Sequence, residues 1–200
     1  MPALHPLIAA RVSRRVIDPD RDLGPGVLER ILHAAQLAAS RNNVQPWRFL
    51  VFTRDQPEAR AAAEDLLARG NSWAKAAPVL LLSVAVTTWP SPPGPGKEAE
   101  NRHAAFDVGQ ATASAHIQAT AEGLVFHQMA GYDDDAARQR FGLPPEALPL
   151  TMIAIGYPLD AAYTDERTAA KDAAPRTRMP ISTVCFSGSW GVPFDPQSTL

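Results

Sequence analysis

A polar loop between a helical pattern and a strand-like run is the feature that most constrains how this chain folds. Residues 40–47 read Ser-Arg-Asn-Asn-Val-Gln-Pro-Trp. Pro46 cannot lie inside a helix and disfavours helical geometry in Gln45, so the chain must turn extended here. The loop is thereby held at the mouth of a core, where ligands usually bind. A plain helix-loop-strand junction would carry the same residue types, so the loop alone leaves both interpretations open.

Apolar runs separated by turn signals predict one mixed α+β domain over residues 1–200. The runs typical of strands cover residues 48–53, 79–86, 124–129, 150–155 and 181–186. The runs with helical spacing cover residues 4–15, 27–38, 57–68, 103–122 and 133–141. The polar stretch 159–178 is expected to be irregular. The nearly continuous apolar character of the run at 79–86 indicates a strand covered on both faces.

Two segments allow more than one interpretation. The helical run 103–122 has small residues on every side, so it is either the centre of the monomer core or the seam of a dimer. Residues 89–97 are rich in proline and glycine and form neither helix nor strand. We interpret the surrounding loop insertion, at about 88–101, as a connector, with a lid or a dimer-wrapping arm as alternatives. Residues 179–200 are expected to form a C-terminal extension.

Charge and cysteine content exclude several classes of protein. The chain has 19 basic and 21 acidic residues and a net charge of -2, which argues against a nucleic-acid-binding protein. The single cysteine, Cys185, excludes an internal disulfide and fits a reducing compartment. The N-terminus lacks a signal-peptide pattern, and the apolar run 76–86 is too short to span a bilayer. We therefore expect a cytoplasmic protein without a membrane partner.

Two pairs of arginines are candidates for an anion site. Arg11 and Arg15 are four residues apart, which places them on one face of a helix, with Ser13 beside them. Arg176 and Arg178 are two apart, which puts both on the same side of an extended segment. Paired guanidinium groups with a hydroxyl form a good phosphate clamp. Each pair alone is more often a solvated surface, but four cations brought together would require an anion.

The usual catalytic signatures are missing. The sequence contains no zinc-protease HExxH motif, no phosphate-binding GxxxxGK[ST] loop and no CxxC pair. The five histidines show no metal-ligand spacing, so no metal site is expected. A polar loop, a phosphate clamp and no evident nucleophile together indicate that a bound cofactor carries the chemistry. The clamp does not follow a strand with a GxGxxG motif, so a Rossmann dinucleotide fold is not indicated.

Five elements in order along the chain resemble those of the flavin-dependent nitroreductase family. They are Arg11-Val12-Ser13-Arg14-Arg15, the segment Ala38 to Trp47, Asp107 and Gly109 in a small-residue helix ending in Gly123-Leu124, Ile155-Gly156-Tyr157-Pro158, and Pro175 to Pro180. The resemblance covers nearly the whole chain, and it implies a nitroreductase-like fold. That fold is a central, mostly antiparallel sheet flanked by helices, in an intertwined homodimer with one FMN at each interface.

The resemblance also implies which residues bind the cofactor. Arg11, Ser13, Arg176 and Arg178 would hold the FMN phosphate. Arg15 would lie toward the pyrimidine end of the ring, where a cation stabilises the negative charge that develops on reduction. The partner chain would contribute Ala39, Ser40, Arg41 and Asn43. Beside the ring would run Gln128, Met129, Ala130 and Gly131.

The implied activity is a ping-pong reaction. A hydride passes from NADH or NADPH through N5 of FMN to a small electron acceptor such as a nitroaromatic or a quinone. No catalytic side chain is required, although His127 could donate a proton to the acceptor, a role for which its neighbours give no pKa argument. Two departures from the family pattern are Ala39, where proline is usual, and Ala130, where some members carry an acidic residue. Alternatives are an oxygen-dependent flavin enzyme of the same fold, a non-catalytic flavin-binding protein, and a structural dimer without flavin.

Overall fold

A four-stranded antiparallel sheet with helices on both faces organises the chain. The computed structural model describes residues 3–89, 100–160, 162 and 164–195. The strands are β1 (Trp47–Thr53), β2 (Val79–Val86), β3 (Val125–Met129) and β4 (Ala147–Gly156), and their order in the sheet is β1-β2-β4-β3. All three neighbouring pairs are antiparallel. This arrangement confirms the α+β fold class.

The two central strands are buried because both of their faces pack against helices. The helices before and between the strands are α1 (Pro6–Ala10), α2 (Val27–Gln36), α3 (Pro57–Asp65) and α4 (Ala104–Ala121). After β3 come α5 (Asp134–Arg140), α6 (Glu166–Ala173) and α7 (Ile181–Val184). Two short 3₁₀ segments lie at Arg41–Asn43 and Arg69–Ala76. One face of the sheet packs with α2 and α4, and the opposite face packs with α3, the second 3₁₀ segment and α5. The apolar run at 79–86 is therefore covered on both faces, as predicted.

The small-residue helix α4 has a buried face and an exposed face. Asp107, Val108 and His116 lie on the buried face with several alanines. On the other side Phe106 is 68% exposed, and Gly109 and Ala113 are also exposed. In one chain α4 therefore belongs to the core, and its outer face remains open to a partner.

Several predicted elements differ from the structure at the two ends of the chain. The predicted helix at 4–15 is only Pro6–Ala10, because Arg11 has an extended ψ of 117°. The expected strand at 181–186 is wrong: Ile181–Val184 is a single helical turn, with no neighbouring strand beyond an isolated bridge between Phe186 and Pro193. The segment 159–178 is not wholly irregular, since it contains α6. The apolar residues of α6 are three alanines, none of them buried, so its apolar pattern in the sequence is weak.

The proline-rich loop lies mostly outside the described residues. Residues 90–99 are not among them, so the interpretation of this loop as a connector, a lid or an arm stays a prediction. The chain on either side is held together by a bridge between Thr88 and Glu100. The Asn101 N–H also donates to the Thr87 carbonyl oxygen at 2.6 Å.

No helix among the described residues combines the length and apolar character needed to cross a bilayer.

Candidate functional site

Three arginines from opposite ends of the chain lie together, and we call them the guanidinium cluster. Arg11 directly follows α1, whereas Arg176 and Arg178 follow α6. The Arg176 guanidinium donates hydrogen bonds to the Arg11 carbonyl oxygen at 2.8 Å and to the Ala9 carbonyl oxygen at 2.9 Å. Burial lowers the pKa of Arg11, and the charges of Arg176 and Arg178 lower it further. The two basic segments therefore meet, as the phosphate-clamp interpretation requires.

The guanidinium cluster has the chemistry of an anion site. Among the described residues, no carboxylate oxygen lies within 4.0 Å of a side-chain nitrogen of Arg11, Arg176 or Arg178. Gathering like charges without a counterion is unfavourable, and a bound anion removes that repulsion. Ser13 follows Arg11 by two residues and is exposed. Its hydroxyl group can therefore add a hydrogen-bond donor beside the cations.

Arg15 has a different environment from Arg11, and the prediction that both share a helix face is wrong. The helix ends at Ala10, so the four-residue spacing no longer places the two side chains together. The guanidinium group of Arg15 lies 3.6 Å from Asp172 Oδ1. The backbone N–H groups of Arg15 and Val16 donate to Asp172 Oδ2 at 2.6 Å and 2.9 Å. No local sequence pattern pointed to Asp172, since it lies 157 residues away from Arg15.

Two buried histidines contact the same N-terminal segment. His127 Nδ1 is 2.8 Å from the Arg14 carbonyl oxygen, and its ring lies 4.6 Å from the ring of Trp73. Burial lowers the pKa of His127, with the hydrogen bond to Arg14 opposing that shift. His127 is thus a largely neutral side chain that fixes the backbone. Its role as a proton donor stays a prediction.

His116 makes the stability of the protein depend on pH. It is 3% exposed, its ring stacks on Phe126 at 4.9 Å, and burial followed by the charge of Arg11 lowers its pKa to about 4. The unfolded chain binds a proton at higher pH than the folded one, so stability is lost as pH falls from about 6.5 toward 4. We expect the free energy of unfolding to drop by about 2 kcal/mol between pH 7 and pH 5 from this histidine.

Urea denaturation of His116→Gln at several pH values checks this expectation. The variant should show a clearly shallower decline in stability between pH 7 and pH 5 than the unaltered protein. His33→Gln is the control, because His33 is exposed on α2 and its replacement should leave the slope unchanged. Equal slopes for His116→Gln and the unaltered protein would contradict the assignment.

The polar loop after α2 has an unusual backbone. Asn42, Asn43 and Gln45 have φ values of 53°, 56° and 52°, in the left-handed region that asparagine tolerates better than most residues. Ser40 Oγ accepts the Gln45 N–H at 3.0 Å, which closes the loop on itself. The sequence predicted a turn at this place but not three left-handed residues.

The same loop is anchored on the first half of α4. The Arg41 N–H donates to Asp107 Oδ2 at 3.1 Å, and Asp107 is 2% exposed. Gln110 Nε2 lies 3.4 Å from the Ala39 carbonyl oxygen. The side chains of Arg41 and Asn43 remain exposed, so they can contact a ligand or another chain.

The predicted segment 128–131 runs along the free edge of the sheet and beyond it. Gln128, Ala130 and Gly131 are exposed, whereas Met129 is buried against the core. Asn71 Nδ2 donates to the Gly131 carbonyl oxygen at 2.8 Å, and a Cβ atom at residue 131 would lie 2.8 Å from that same nitrogen. Asn71 is therefore a residue that sequence reasoning missed, and it explains why glycine suits this position.

Within a single chain, the polar loop after α2 and the N-terminal segment lie at different positions along α4. Asp107 anchors the loop, and nine residues later His116 lies next to Arg11. Nine residues of α-helix span roughly 13 Å. The two predicted groups of site residues thus occupy different ends of α4 in the same chain.

Comparison with known proteins identifies the family of this fold. The family model described as "Nitroreductase family" matches residues 8–85 and 55–157. The chain belongs to the nitroreductase family. The family match begins before Arg11 and ends at Tyr157, so Arg176 and Arg178 of the guanidinium cluster lie beyond it.

Individual relatives match most of the chain. A 15.4 kDa uncharacterised protein of Mycolicibacterium smegmatis is 36% identical over 154 residues, which cover 73% of this chain and 99% of that protein. A protein named NADH dehydrogenase from Thermus thermophilus is 30% identical over 194 residues, which cover 84% of this chain and 93% of that protein. A crystal structure described as an oxidoreductase containing FMN is 30% identical, with a TM-score of 0.86. The match covers 96% of this chain and 94% of that chain, so the likeness extends into the C-terminal region.

Proposed function

We propose that this nitroreductase-family chain is an FMN-dependent oxidoreductase that uses NADH or NADPH to reduce a small electron acceptor. The observation that carries the proposal is the guanidinium cluster, which gathers three cations without a carboxylate partner among the described residues. The relative named NADH dehydrogenase and the solved structure described as containing FMN support the choice of cofactor and co-substrate. The acceptor belongs to the class of nitroaromatics, quinones or similar molecules.

The residues present fit the phosphate end of FMN. A phosphate dianion matches the planar donor forks of several arginines better than a single lysine. In our proposal Arg11, Arg176 and Arg178 hold the phosphate, and Ser13 adds a hydroxyl donor. The hydrogen bond from Arg176 uses the backbone carbonyl oxygen of Arg11 and none of the Arg11 guanidinium donors.

The residues for the ring end are proposed in the same way. Arg15 would lie toward the pyrimidine, and residues 128–131 would run beside the ring. The loop residues Ala39, Ser40, Arg41 and Asn43 would come from the partner chain, which agrees with their distance from Arg11 along α4. Alanine at residue 39 supplies a backbone N–H that the usual proline lacks, and its carbonyl oxygen lies 3.4 Å from Gln110 Nε2. When bound, FMN supplies the hydride chemistry that the protein side chains lack.

The proposed partner is a second copy of this chain. Large apolar side chains are exposed on α4 and after α6, which is unusual for a monomer and typical of an interaction surface. They include Phe106 at 68%, Met179 at 67%, Ile181 at 55%, Val184 at 52% and Trp190 at 91% exposure. We expect a homodimer at micromolar concentration by analytical ultracentrifugation, and a stable monomer would contradict this part of the proposal. The single cysteine, Cys185, is free, which is compatible with the cytoplasmic location that we propose.

The visible spectrum of the purified protein under anaerobic conditions tests the proposed reaction. We expect a flavin band that NADH or NADPH bleaches and that a quinone or nitroaromatic restores. A flavin band that stays unbleached would favour an oxygen-dependent enzyme or a non-catalytic flavin protein. A colourless protein that does not take up added FMN would overturn the proposal.

A further inference from the structure

Asp172 is a buried carboxylate whose two oxygens face different parts of the N-terminal segment. It lies in the last turn of α6, and its side chain is 9% exposed. Oδ2 accepts both the Arg15 N–H at 2.6 Å and the Val16 N–H at 2.9 Å. Oδ1 is buried without a hydrogen bond and lies 3.6 Å from the Arg15 guanidinium nitrogen Nη1. One oxygen therefore anchors the backbone, and the other opposes the charge of Arg15.

The N-terminal segment 11–16 depends on such contacts because it is neither helix nor strand. Several of its polar backbone groups are paired by side chains from distant elements. Arg176 donates to the Arg11 carbonyl oxygen, His127 contacts the Arg14 carbonyl oxygen, and Asp172 accepts from Arg15 and Val16. A backbone N–H deprived of its partner in a buried place costs about 1–3 kcal/mol. The segment is thus positioned by these side chains rather than by a helix or a ladder.

Helix α6 depends on the same contacts. None of its apolar residues is buried, so apolar packing does not explain where it lies. Asp172 and, just beyond the helix, Arg176 bond the N-terminal segment. The carboxylate thereby fixes the position of the segment that leads to Arg176 and Arg178.

We propose that Asp172 is a positioning residue of the flavin site with two separable effects. Through Oδ2 it fixes the segment carrying Arg11, Ser13 and Arg15 against the segment carrying Arg176 and Arg178. Through Oδ1 it partly neutralises the cation that Arg15 directs toward the ring. This inference rests on the proposed function, and it adds a residue that neither the family pattern in the sequence nor the comparisons assign.

The two effects predict different results for two substitutions. Both N–H groups bind the same oxygen, so Asp172→Asn keeps an acceptor for both, whereas an uncharged NH2 group replaces the oxygen that faces Arg15. Asp172→Ala removes the acceptor as well. We expect Asp172→Ala to raise the FMN dissociation constant at least 10-fold, whereas Asp172→Asn should stay within about 3-fold of the unaltered protein.

The charge effect should appear in the redox potential of the Asp172→Asn holoprotein. An uncompensated Arg15 stabilises the negative charge of reduced flavin more than the oxidised form. If reduced FMN gains about 10-fold in relative affinity, the midpoint potential becomes more positive by about 30 mV for this two-electron couple. Glu166→Gln is the matched control, because it removes one carboxylate from an exposed position of the same helix. It should leave both affinity and potential unchanged.

Amide hydrogen exchange of the apoprotein gives a readout independent of flavin. The amides of Arg15 and Val16 should exchange slowly in the unaltered protein and in Asp172→Asn, and quickly in Asp172→Ala. Unchanged protection and FMN affinity in Asp172→Ala would overturn the anchoring effect, and an unchanged potential in Asp172→Asn would overturn the charge effect. If the unaltered protein binds no FMN, the proposed function is wrong, yet exchange still decides whether Asp172 anchors the segment.

Discussion

The double substitution Arg11→Ala with Arg178→Ala is expected to abolish retention of FMN while the chain still folds. Each guanidinium group lost from a phosphate removes charge-assisted hydrogen bonds worth about 1.5–3 kcal/mol. Two such losses raise the FMN dissociation constant by at least about 100-fold. Folding should be little affected, because both side chains sit in a repulsive cluster that lowers the pKa of Arg11. The main-chain carbonyl of Arg11, which accepts from Arg176, also remains.

Fluorescence titration of the apoprotein with FMN measures this loss, and thermal unfolding of the apoprotein checks the fold. The control is Arg54→Ala with Arg140→Ala, which removes the same net charge. Those arginines pair with Asp22 at 2.8 Å and with Asp65 at 3.3 Å and also bond the carbonyl oxygens of Ala76 and Ala62, so the control should keep its FMN affinity even if it loses some stability. Unchanged FMN affinity in the Arg11 and Arg178 variant would refute the phosphate assignment.

The sequence predicted the central elements well because their apolar patterns are long and bounded by clear turn signals. The run at 79–86 coincides with β2, and the helix proposed at 103–122 exceeds α4 by one residue at each end. Pro46 marks the start of β1 as expected, since Trp47 is the first strand residue. Such elements are predictable because burial of one or both faces requires apolar residues at a regular spacing.

Elements without a buried face escaped the same reasoning. Helix α6 has no buried apolar residue among its eight, and the signal that could have found it is its start, where the Asp165 side chain accepts the Thr168 N–H at 3.0 Å. An N-cap of this kind predicts a helix beginning without predicting its packing. The apolar run at 181–186 predicted a strand, but its first four residues form the helical turn α7. A strand also needs a neighbouring strand, and within the described part of the chain this run has only an isolated bridge from Phe186 to Pro193.

The sequence was enough to predict which arginines belong to the candidate site, but it could not predict the hydrogen bonds that position them. The arginines stood out as charged pairs, and the cluster at Arg11 agrees with the expected meeting of the two segments. The bond between Asp172 and the Arg15 backbone spans 157 residues, and no local pattern encodes such a pairing. The left-handed residues Asn42 and Asn43 likewise depend on anchoring by Asp107, which lies far along the chain.

The N-terminal segment reaches the sheet through the end of β4. The Asp18 N–H donates to the Tyr157 carbonyl oxygen at 2.9 Å, and the Leu159 N–H lies 3.3 Å from the Val16 carbonyl oxygen. Ile17 also bridges to Pro158. This contact fixes where the chain leaves the candidate site and enters the core. The closest packing at this junction occurs at Gly156.

Gly156→Ala should therefore be among the most damaging single substitutions in the chain. A Cβ atom there would lie 2.6 Å from Ile17 Cγ2 and 2.7 Å from Pro78 Cδ, and both distances are far below van der Waals contact. Ile17 is 4% exposed, so neither neighbour can move without disturbing the core. Overpacking of this kind costs about 1–3 kcal/mol and sometimes more, and we expect about 3 kcal/mol here.

Urea denaturation of the apoprotein measures that cost, and FMN titration measures its effect on the site. Displacement of Ile17 would shift Val16 and Arg15 away from Asp172, so FMN affinity should fall together with stability. Gly70→Ala is the control, because a Cβ atom at residue 70 meets nothing within 4 Å and stability should change by less than about 1 kcal/mol. A Gly156→Ala protein as stable as the control would show that the junction yields to the added methyl group. If the variant lost stability but kept full FMN affinity, packing at Gly156 would not be needed to position the N-terminal segment.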